Sequence, residues 1–408
     1  MKMTISLAYI NATVVAGCLL LTPPGICAQA GQAPMVVVSN ANAGQISLIY
    51  PPDKINDFVQ LPLPPLPYPL HEKIWFSPDY QFAYLSSPQG WLIKLALATH
   101  QIQQQVRVGQ LTSGIALSHD GRFLMVANMQ PMTLVAIDTG NFSVIRTFEV
   151  KDKNGAASGV AAIHTASARK SFIAVMADIP ELWELSYDDH AEPIYEAWVH
   201  DYKMGEGLAV RGPFPPRRII CEKQLSHVIF DANFIHAIGA DSEGQMQVIN
   251  LNIRRKIRDL HLSSAVQPDA GAIWQWQQHP VLVVPHSTEA KLSLIDMQAW
   301  NILGEIKLED KARKLTEHTH SDYAWVSDND SAATQATAYA NKPNHIQMID
   351  KKTLRLLAQV PAPLNNSSVP LAWSFDGRFV LLRSNIEKNP WRIVDSKTLE
   401  PVQPIPPE

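Results

Sequence analysis

An internal repeat constrains this 408-residue chain more than any other feature of its sequence. Eight segments share one pattern, in which an apolar strand ending near Ile-Asp is followed by a polar turn and a second apolar strand. The intervals between successive segments average about 49 residues, which is typical of β-propeller blades. The apolar residues before the eight turns are Ile49, Leu95, Ile137, Leu185, Ile249, Ile295, Ile349 and Val394.

A second hairpin precedes most of these segments and carries a Ser-x-Asp turn, as in IALSHDGRFLMVAN and LAWSFDGRFVLLRS. Asp120-Gly121 and Asp376-Gly377 suit a tight reversal, because glycine adopts positive φ without steric cost. Two hairpins per repeat make one four-stranded blade. The sequence therefore predicts an all-β fold, an eight-bladed β-propeller that forms a single domain over residues 31–408.

The amino end has the features of a secretory signal peptide. Residues 1–30 contain one lysine, an apolar run from Ile5 to Leu21 and a small-residue site ending at Ala30. This order predicts cleavage after Ala30 and export to the periplasm. A lipoprotein anchor at Cys18 is an alternative, because Val15-Ala16-Gly17-Cys18 resembles a lipoprotein cleavage box.

Composition excludes several classes of function. Loss of Lys2 with the signal peptide would change the formal net charge from −4 to −5, and the charges form no block, so we expect no nucleic-acid partner. The sequence also lacks Cys-x-x-Cys-His, Gly-x-Ser-x-Gly, His-Glu-x-x-His and a phosphate-binding loop. Any chemistry must therefore come from residues that converge at the propeller axis.

The inner strand of each blade lines the central channel, so residues at its start lie near the axis. His71 directly precedes the strand EKIWFS and could offer a neutral imidazole nitrogen to a haem iron. His286 and His318 occupy comparable places in later blades. The spacing of these three histidines is equally compatible with ordinary polar residues that bind no ligand. We interpret three other histidines, His164, His227 and His236, as ordinary surface residues or as core residues whose hydrogen bonds are satisfied within the protein.

The longest interval between repeats, from Leu185 to Ile249, contains HDYKMGEGLAVRGPFPPRR. Insertions between blades emerge as loops, and such loops often carry binding sites. The arginines Arg211, Arg217 and Arg218 make this insertion a candidate for contacts with an anionic ligand.

Several segments, in the same order along the chain, resemble the cytochrome d1 and NirF-like family, which comprises the haem d1 propeller of nitrite reductase and the haem d1 biosynthesis protein NirF. The similar segments are LHEKIWFSPDYQFAYLSS, SGIALSHDGRFLMVANMQP, AVMADIPELWELSY and VLVVPHSTEAKLSLIDMQAW. The resemblance implies an eight-bladed propeller that binds haem d1 or a haem d1 precursor. It also implies that His71 is the proximal iron ligand and that His286 and His318 fall on family histidines.

Two departures from the family pattern concern the distal side of the haem. The chain has Gln267 and Pro370 where relatives have distal histidines. Because nitrite reduction needs proton donors beside the bound anion, we expect no nitrite reductase activity. The family's terminal tail is also missing, so we expect the ring either to close more loosely or to be closed by residues 31–45.

Two functional hypotheses follow from the resemblance. In the first, the protein binds a tetrapyrrole in the periplasm and assists haem d1 biosynthesis or delivery, with other maturation proteins or nitrite reductase as partners. Arg217 and Arg218 would then pair with acidic side groups of the tetrapyrrole. In the second, the haem site has decayed and the propeller is a scaffold for protein interaction.

Overall fold

A computed structural model describes residues 35–40, 45–49, 60–62, 66–191 except 72, 194, 213–327 except 310 and 313, 345–361, 372–373, 377–383 and 391–402 except 399. The predicted signal peptide, Cys18, Arg211 and Pro370 lie outside these residues. In the described part of the chain, no helix has the length and apolar character needed to cross a bilayer.

The described residues form eight antiparallel sheets, one of three strands and seven of four. The first four sheets comprise β1 (Met35–Asn40), β2 (Gln45–Ile49) and β3 (Gln60–Pro62); β4 (Trp75–Phe76), β5 (Phe82–Ser86), β6 (Trp91–Ala96) and β7 (Gln101–Arg107); β8 (Leu111–Leu117), β9 (Phe123–Gln130), β10 (Thr133–Asp138) and β11 (Val144–Glu149); β12 (Val160–Ala166), β13 (Ser171–Met176), β14 (Glu181–Ser186) and β15 (Pro216–Ile220).

The other four sheets comprise β16 (His227–Phe230), β17 (His236–Ala240), β18 (Met246–Asn250) and β19 (Arg255–Leu260); β20 (Ala272–Trp276), β21 (His279–Pro285), β22 (Lys291–Asp296) and β23 (Asn301–Lys307); β24 (Lys314–Glu317), β25 (Tyr323–Ser327), β26 (His345–Asp350) and β27 (Leu356–Pro361); β28 (Ala372–Trp373), β29 (Phe379–Arg383), β30 (Trp391–Asp395) and β31 (Pro401–Val402). Two 3-10 turns, Ser167–Arg169 and Pro268–Ala270, are the only helical elements among the described residues.

Strands follow one another in chain order within each sheet, as in propeller blades. The first strand of a sheet contacts the first strand of the next, as β8 contacts β12 and β20 contacts β24. The fourth strands β7, β11, β19 and β23 are mostly exposed. The first strands are therefore innermost and the fourth strands form the outer edges. The all-β, propeller-like architecture expected from the repeat is confirmed.

The hydrophobic core consists of layers between neighbouring sheets. One layer joins Met125 and Leu134 of the third sheet to Phe172 of the fourth, and all three side chains are fully buried. Equivalent layers join the fourth sheet to the fifth, the fifth to the sixth and the sixth to the seventh. Burying one such side chain contributes about 1.5–3 kcal/mol, so the stacking of sheets supplies much of the stability of the fold.

The predicted Ser-x-Asp turns are present and are built from hydrogen bonds. In the turn after β8, Ser118 Oγ donates to Asp120 Oδ1 at 2.6 Å, and Asp120 Oδ1 accepts the Arg122 N–H at 3.1 Å. Gly121 adopts the positive φ of 74° that the sequence predicted. Ser77 and Asp79 form the same bond, also at 2.6 Å, in the preceding sheet. The same local hydrogen bonds therefore build this turn in both sheets.

The hairpin between the third and fourth strands is also repeated. Asp138 Oδ1 accepts the backbone N–H groups of Gly140 and Asn141 at 2.8 and 3.0 Å, and Asp296 caps its own turn in the same way. The strand register shifts by one residue at Ile137, the apolar residue that defines the repeat. The same irregularity occurs at Leu95, Ile249, Ile295 and Ile349. The repeated apolar residue therefore marks a β-bulge, a feature that increases strand twist.

Candidate functional site

His71 lies four residues before Trp75, the first residue of β4, near the starting end of an inner strand. Its backbone N–H donates to the Ser86 carbonyl at 2.8 Å, and its ring Nδ1 is hydrogen-bonded to Ser86 Oγ at 2.9 Å. Ser86 is the last residue of β5 and is buried. Two bonds to one residue of the neighbouring strand therefore fix both the backbone and the ring of His71. His71 therefore lies beside the starting end of the inner strand of its sheet, and its role as a ligand stays a prediction.

Burial lowers the pKa of His71 below its ordinary value, although nearby backbone groups of Thr112 and Ser86 partly oppose this effect. Thr112 is the second residue of β8, the inner strand of the next sheet. An imidazole with a lowered pKa is neutral at neutral pH, and only a neutral imidazole can act as a metal ligand. The surroundings of His71 therefore favour the protonation state that coordination needs.

Two lysines, Lys73 and Lys314, lie close enough to interact at the starting ends of two inner strands. Lys73 follows His71 by two residues, and its Nζ lies 4.4 Å from the centre of the Trp75 ring. Burial lowers the pKa of Lys73, and the positive charge of Lys314, the first residue of β24, lowers it further. Both side chains are nevertheless accessible to water. We call the region at the starting ends of these inner strands the cup.

His164 and His227 belong to the same cup. His164 lies on the inner strand β12; burial, with a further contribution from Lys73, lowers its pKa to about 4, and the charge of Asp269 opposes the shift. His227 begins the inner strand β16, and its Nδ1 lies 2.9 Å from Asp269 Oδ1. That hydrogen bond raises the pKa of His227 above its ordinary value, against the effect of burial.

We call this group of six residues, which comes from five sheets or the turns that precede them, the axial cluster: His71, Lys73, His164, His227, Asp269 and Lys314. The sequence interpretation of His164 and His227 as ordinary residues missed their place in it. A signal was available, because His227 begins an inner strand, where the repeat predicts residues near the axis. His236 does match the expectation of a satisfied residue, since its Nδ1 lies 2.8 Å from Asp231 Oδ2.

His286 lies at the end of β21, on the same side of the sheets as His71, but it is completely buried. Its Nδ1 is hydrogen-bonded to Ser264 Oγ at 2.6 Å and its Nε2 to Ser293 Oγ at 2.8 Å. Both ring nitrogens are therefore engaged within the protein. In this arrangement His286 has no nitrogen to offer a ligand, contrary to the expectation from the resemblance.

His318 follows the end of β24, whereas His71 precedes the start of β4. Inner strands run in the same direction in successive blades, so the two histidines lie at opposite ends of the channel. The His318 ring packs 5.3 Å from the ring of His320 and 5.9 Å from that of Trp373. The structure thus does not bring His318 together with His71.

Arg217 and Arg218 lie on β15, the outer strand of the fourth sheet. Arg218 forms a two-pronged ion pair with the buried Glu181, with N–O distances of 2.8 and 2.9 Å, and donates a further bond to the Lys151 carbonyl. Arg218 is thus engaged within the protein, and the pairing of Arg217 and Arg218 with acidic side groups of a tetrapyrrole stays a prediction. Charge near the axis comes from Lys73 and Lys314.

Gln267, which the sequence resemblance set against a distal histidine, lies at the amino end of the turn that carries Asp269. Its backbone carbonyl accepts the Ala270 N–H at 3.1 Å. The neighbouring His227–Asp269 pair supplies a titratable group at this side of the cup. Within the described ranges, no group of three or more His, Cys, Asp or Glu side chains is arranged to hold a metal ion.

Similarity to known proteins agrees with this geometry. The chain is 27% identical over 343 residues to a dihydro-heme d1 dehydrogenase of Pseudomonas aeruginosa, covering 84% of this chain and 64% of that relative's length. It is 23% identical over 339 residues to Protein NirF of Stutzerimonas stutzeri, covering 72% and 80% of the two chains. The chain thus spans just under two thirds of the first relative.

A solved structure of the dihydro-heme d1 dehydrogenase NirN, in complex with DHE, matches with a TM-score of 0.76 and 26% identity. The match covers 96% of this chain and 76% of that one. The cytochrome D1 heme domain family matches residues 30–408. These findings confirm the resemblance drawn from the sequence, and the chain belongs to the cytochrome D1 heme domain family.

Proposed function

We propose that the protein is a periplasmic haem d1-type propeller that binds a tetrapyrrole at the axial cluster and assists haem d1 biosynthesis or delivery. The observation that carries the proposal is His71, a neutral imidazole whose orientation is fixed by Ser86 at the mouth of the axis. The family match, and the haem d1 functions that the names of the relatives print, support the choice of ligand. We take a dihydro-haem d1-like precursor as the preferred ligand.

The proposal includes a closed ring of eight blades formed by residues 31–408 as one domain. Contact between β1 and β28, the first strands of the first and last sheets, supports closure. Export through residues 1–30, or anchoring at Cys18, would place this ring in the periplasm. Other haem d1 maturation proteins or nitrite reductase would be the protein partners.

The residues of the axial cluster fit a haem d1-type group. With Nδ1 donating to Ser86 Oγ, His71 would present the lone pair of Nε2 to the iron, and a bond of this kind commonly orients ligating histidines. Lys73 and Lys314 would pair with carboxylate side groups of the macrocycle. The bound group would supply the redox chemistry of its own iron and ring.

The residues of the distal side support a biosynthetic or delivery role rather than nitrite reduction. Gln267 is neither acidic nor basic, and it stands where relatives have a proton-donating histidine. The His227–Asp269 pair is the acid–base group that the structure places beside the cup. With its raised pKa, His227 can hold a proton near neutral pH and exchange it with a bound ligand.

A spectroscopic titration tests the proposal. Purified protein would be mixed with haem d1, and with ordinary haem for comparison, while the Soret band is followed. We expect a spectral shift that is lost in His71→Ala and retained in His279→Ala, a control at an exposed histidine on the far side of the sheets. Identical flat traces for the native protein and His71→Ala would instead favour the scaffold with a decayed site.

A further inference from the structure

A buried hydrogen-bond network lies in the third sheet, at the starting end of the inner strand β8. Thr112, the second residue of β8, is 3% exposed, and its Oγ1 donates to Asn128 Oδ1 at 2.6 Å. Asn128, on β9, is completely buried. Its Nδ2 donates to the Val108 carbonyl at 2.9 Å and to Thr133 Oγ1 at 3.1 Å. The Asn128 amide therefore joins the start of β8 to the segment before it and to the start of β10.

Regular strand pairing does not set the backbone of β8 at this end. The register between β8 and β9 shifts on both sides of Thr112, between Leu111 and Thr112 and between Thr112 and Gly114. An irregularity of this kind disrupts the ladder locally and lets the strand bend. Thr112 and Asn128 are partners in this register, so the bond between their side chains fixes a part of β8 that the ladder does not fix.

The same part of β8 is connected to His71. The Thr112 N–H donates to the Pro88 carbonyl at 2.9 Å, two residues after Ser86, which holds both the backbone and the ring of His71. The Thr112 backbone also acts on the ring itself, since it favours the charged form and raises the pKa of His71 against the effect of burial. The His71 ring therefore interacts with two segments, the end of β5 at Ser86 and the start of β8 at Thr112.

The network is closely surrounded by backbone. A methyl group added at Gly109 would collide with Asn128 Oδ1 and with Thr112 Oγ1, and one added at Gly90 would collide with the Gly109 backbone. Loss of the Thr112 hydroxyl would leave Asn128 Oδ1 buried without this donor. A buried polar atom that lacks its partner is unfavourable, so the start of β8 would shift to satisfy it.

Histidines that bind metals depend on neighbouring groups to fix the orientation of the ring, and loss of such a group commonly lowers affinity about 10–100-fold. We propose that Thr112 and Asn128 are positioning residues, which hold the start of β8 beside His71 and so set the orientation in which its imidazole meets a tetrapyrrole. This inference rests on the proposed function, which assigns the ligand role to His71. Ser86 orients the ring from its own sheet, and the Thr112–Asn128 pair does so from the next sheet.

Matched threonine variants test this inference. Thr112→Val removes the hydroxyl that bonds to Asn128, and it should weaken haem d1 binding about tenfold in the Soret titration. Thr112→Ser, the conservative variant, keeps the hydroxyl and should restore the affinity. Thr139→Val is the control, because Thr139 is also buried in the third sheet and its Oγ1 also donates a bond of 2.6 Å, to the Gly121 carbonyl at the opposite end of the sheet. It should bind haem d1 as the native protein does.

The tautomer of His71 provides a readout that does not depend on haem binding. It would be read from the ring nitrogen resonances of isotope-labelled protein without ligand. The native protein, Thr112→Ser and Thr139→Val should show one tautomer, whereas Thr112→Val and Asn128→Ala should show a mixture, because the ring loses its fixed orientation. A single tautomer in Thr112→Val, or a haem affinity equal to that of Thr139→Val, would overturn the inference. Absence of haem binding by the native protein would refute the proposed function, while the tautomers would still test the positioning role.

Discussion

Replacing Arg218 with alanine separates its structural role from the ligand-binding role that its sequence context suggested. Glu181, its partner, is only 7% exposed and also accepts a bond from Trp183 Nε1 at 2.8 Å. Removal of the arginine leaves this carboxylate buried with one donor. Breaking a buried ion pair costs about 3–5 kcal/mol. Because the Arg218 side chain is 31% exposed, water can partly solvate the carboxylate in the variant, and we expect a loss of about 2–3 kcal/mol.

Urea denaturation followed by tryptophan fluorescence would measure the loss, and the Soret titration would be run on the same protein. The double variant Arg218→Met with Glu181→Leu should recover most of the stability, since apolar replacement of a buried pair is often neutral. Tetrapyrrole binding should be unchanged in Arg218→Ala. A stability loss below about 0.5 kcal/mol, which is typical of exposed pairs, would refute the reasoning. So would loss of tetrapyrrole binding with unchanged stability.

Three further predictions concern the axial cluster and the turns. Ser86→Ala removes the bond that orients His71 and should weaken haem binding about tenfold in the Soret titration; an unchanged affinity would contradict that orienting role. The bond from Asp269 raises the pKa of His227, so the stability that this pair contributes to the native protein is present below about pH 6.5 and is lost as pH rises through the raised pKa. Asp269→Asn removes this bond. Its destabilising effect in urea should therefore be larger at pH 5.5 than at pH 9, and the reverse order would contradict the assignment. Gly121→Ala should destabilise more than Gly155→Ala in thermal unfolding, because both glycines have positive φ but only at Gly121 would a Cβ collide with a neighbouring side chain.

The features that the sequence predicted correctly are local ones. The strand alternation, the Ser-x-Asp turn and the glycine at positive φ each depend on residues within about five positions of one another. The position of His71 also followed from its blade, because the start of an inner strand is defined within one repeat. A stretch of about ten residues is therefore enough to predict the strands, the turns and the place of His71.

The state of each histidine could not be predicted in the same way. His286 is fully satisfied by Ser264 and Ser293, which lie on either side of it at distances of 22 and 7 residues. His227 pairs with Asp269, 42 residues away in the turn before the next sheet. The residues next to a histidine in the sequence are the same whether its ring is hydrogen-bonded to a distant residue or to water. They therefore do not reveal its hydrogen-bond partners.

By itself, the sequence determined that this chain forms successive four-stranded sheets, and it placed His71 ahead of an inner strand, since both follow from short-range patterning. Only the tertiary structure decided which basic residues face the axis. The arginines that looked suited to a ligand lie on an outer strand, whereas Lys73, Lys314 and His227 surround the cup. The physical reason is that the radial order of strands sets distance from the axis, and charge pairing across blades decides which groups remain available to a ligand.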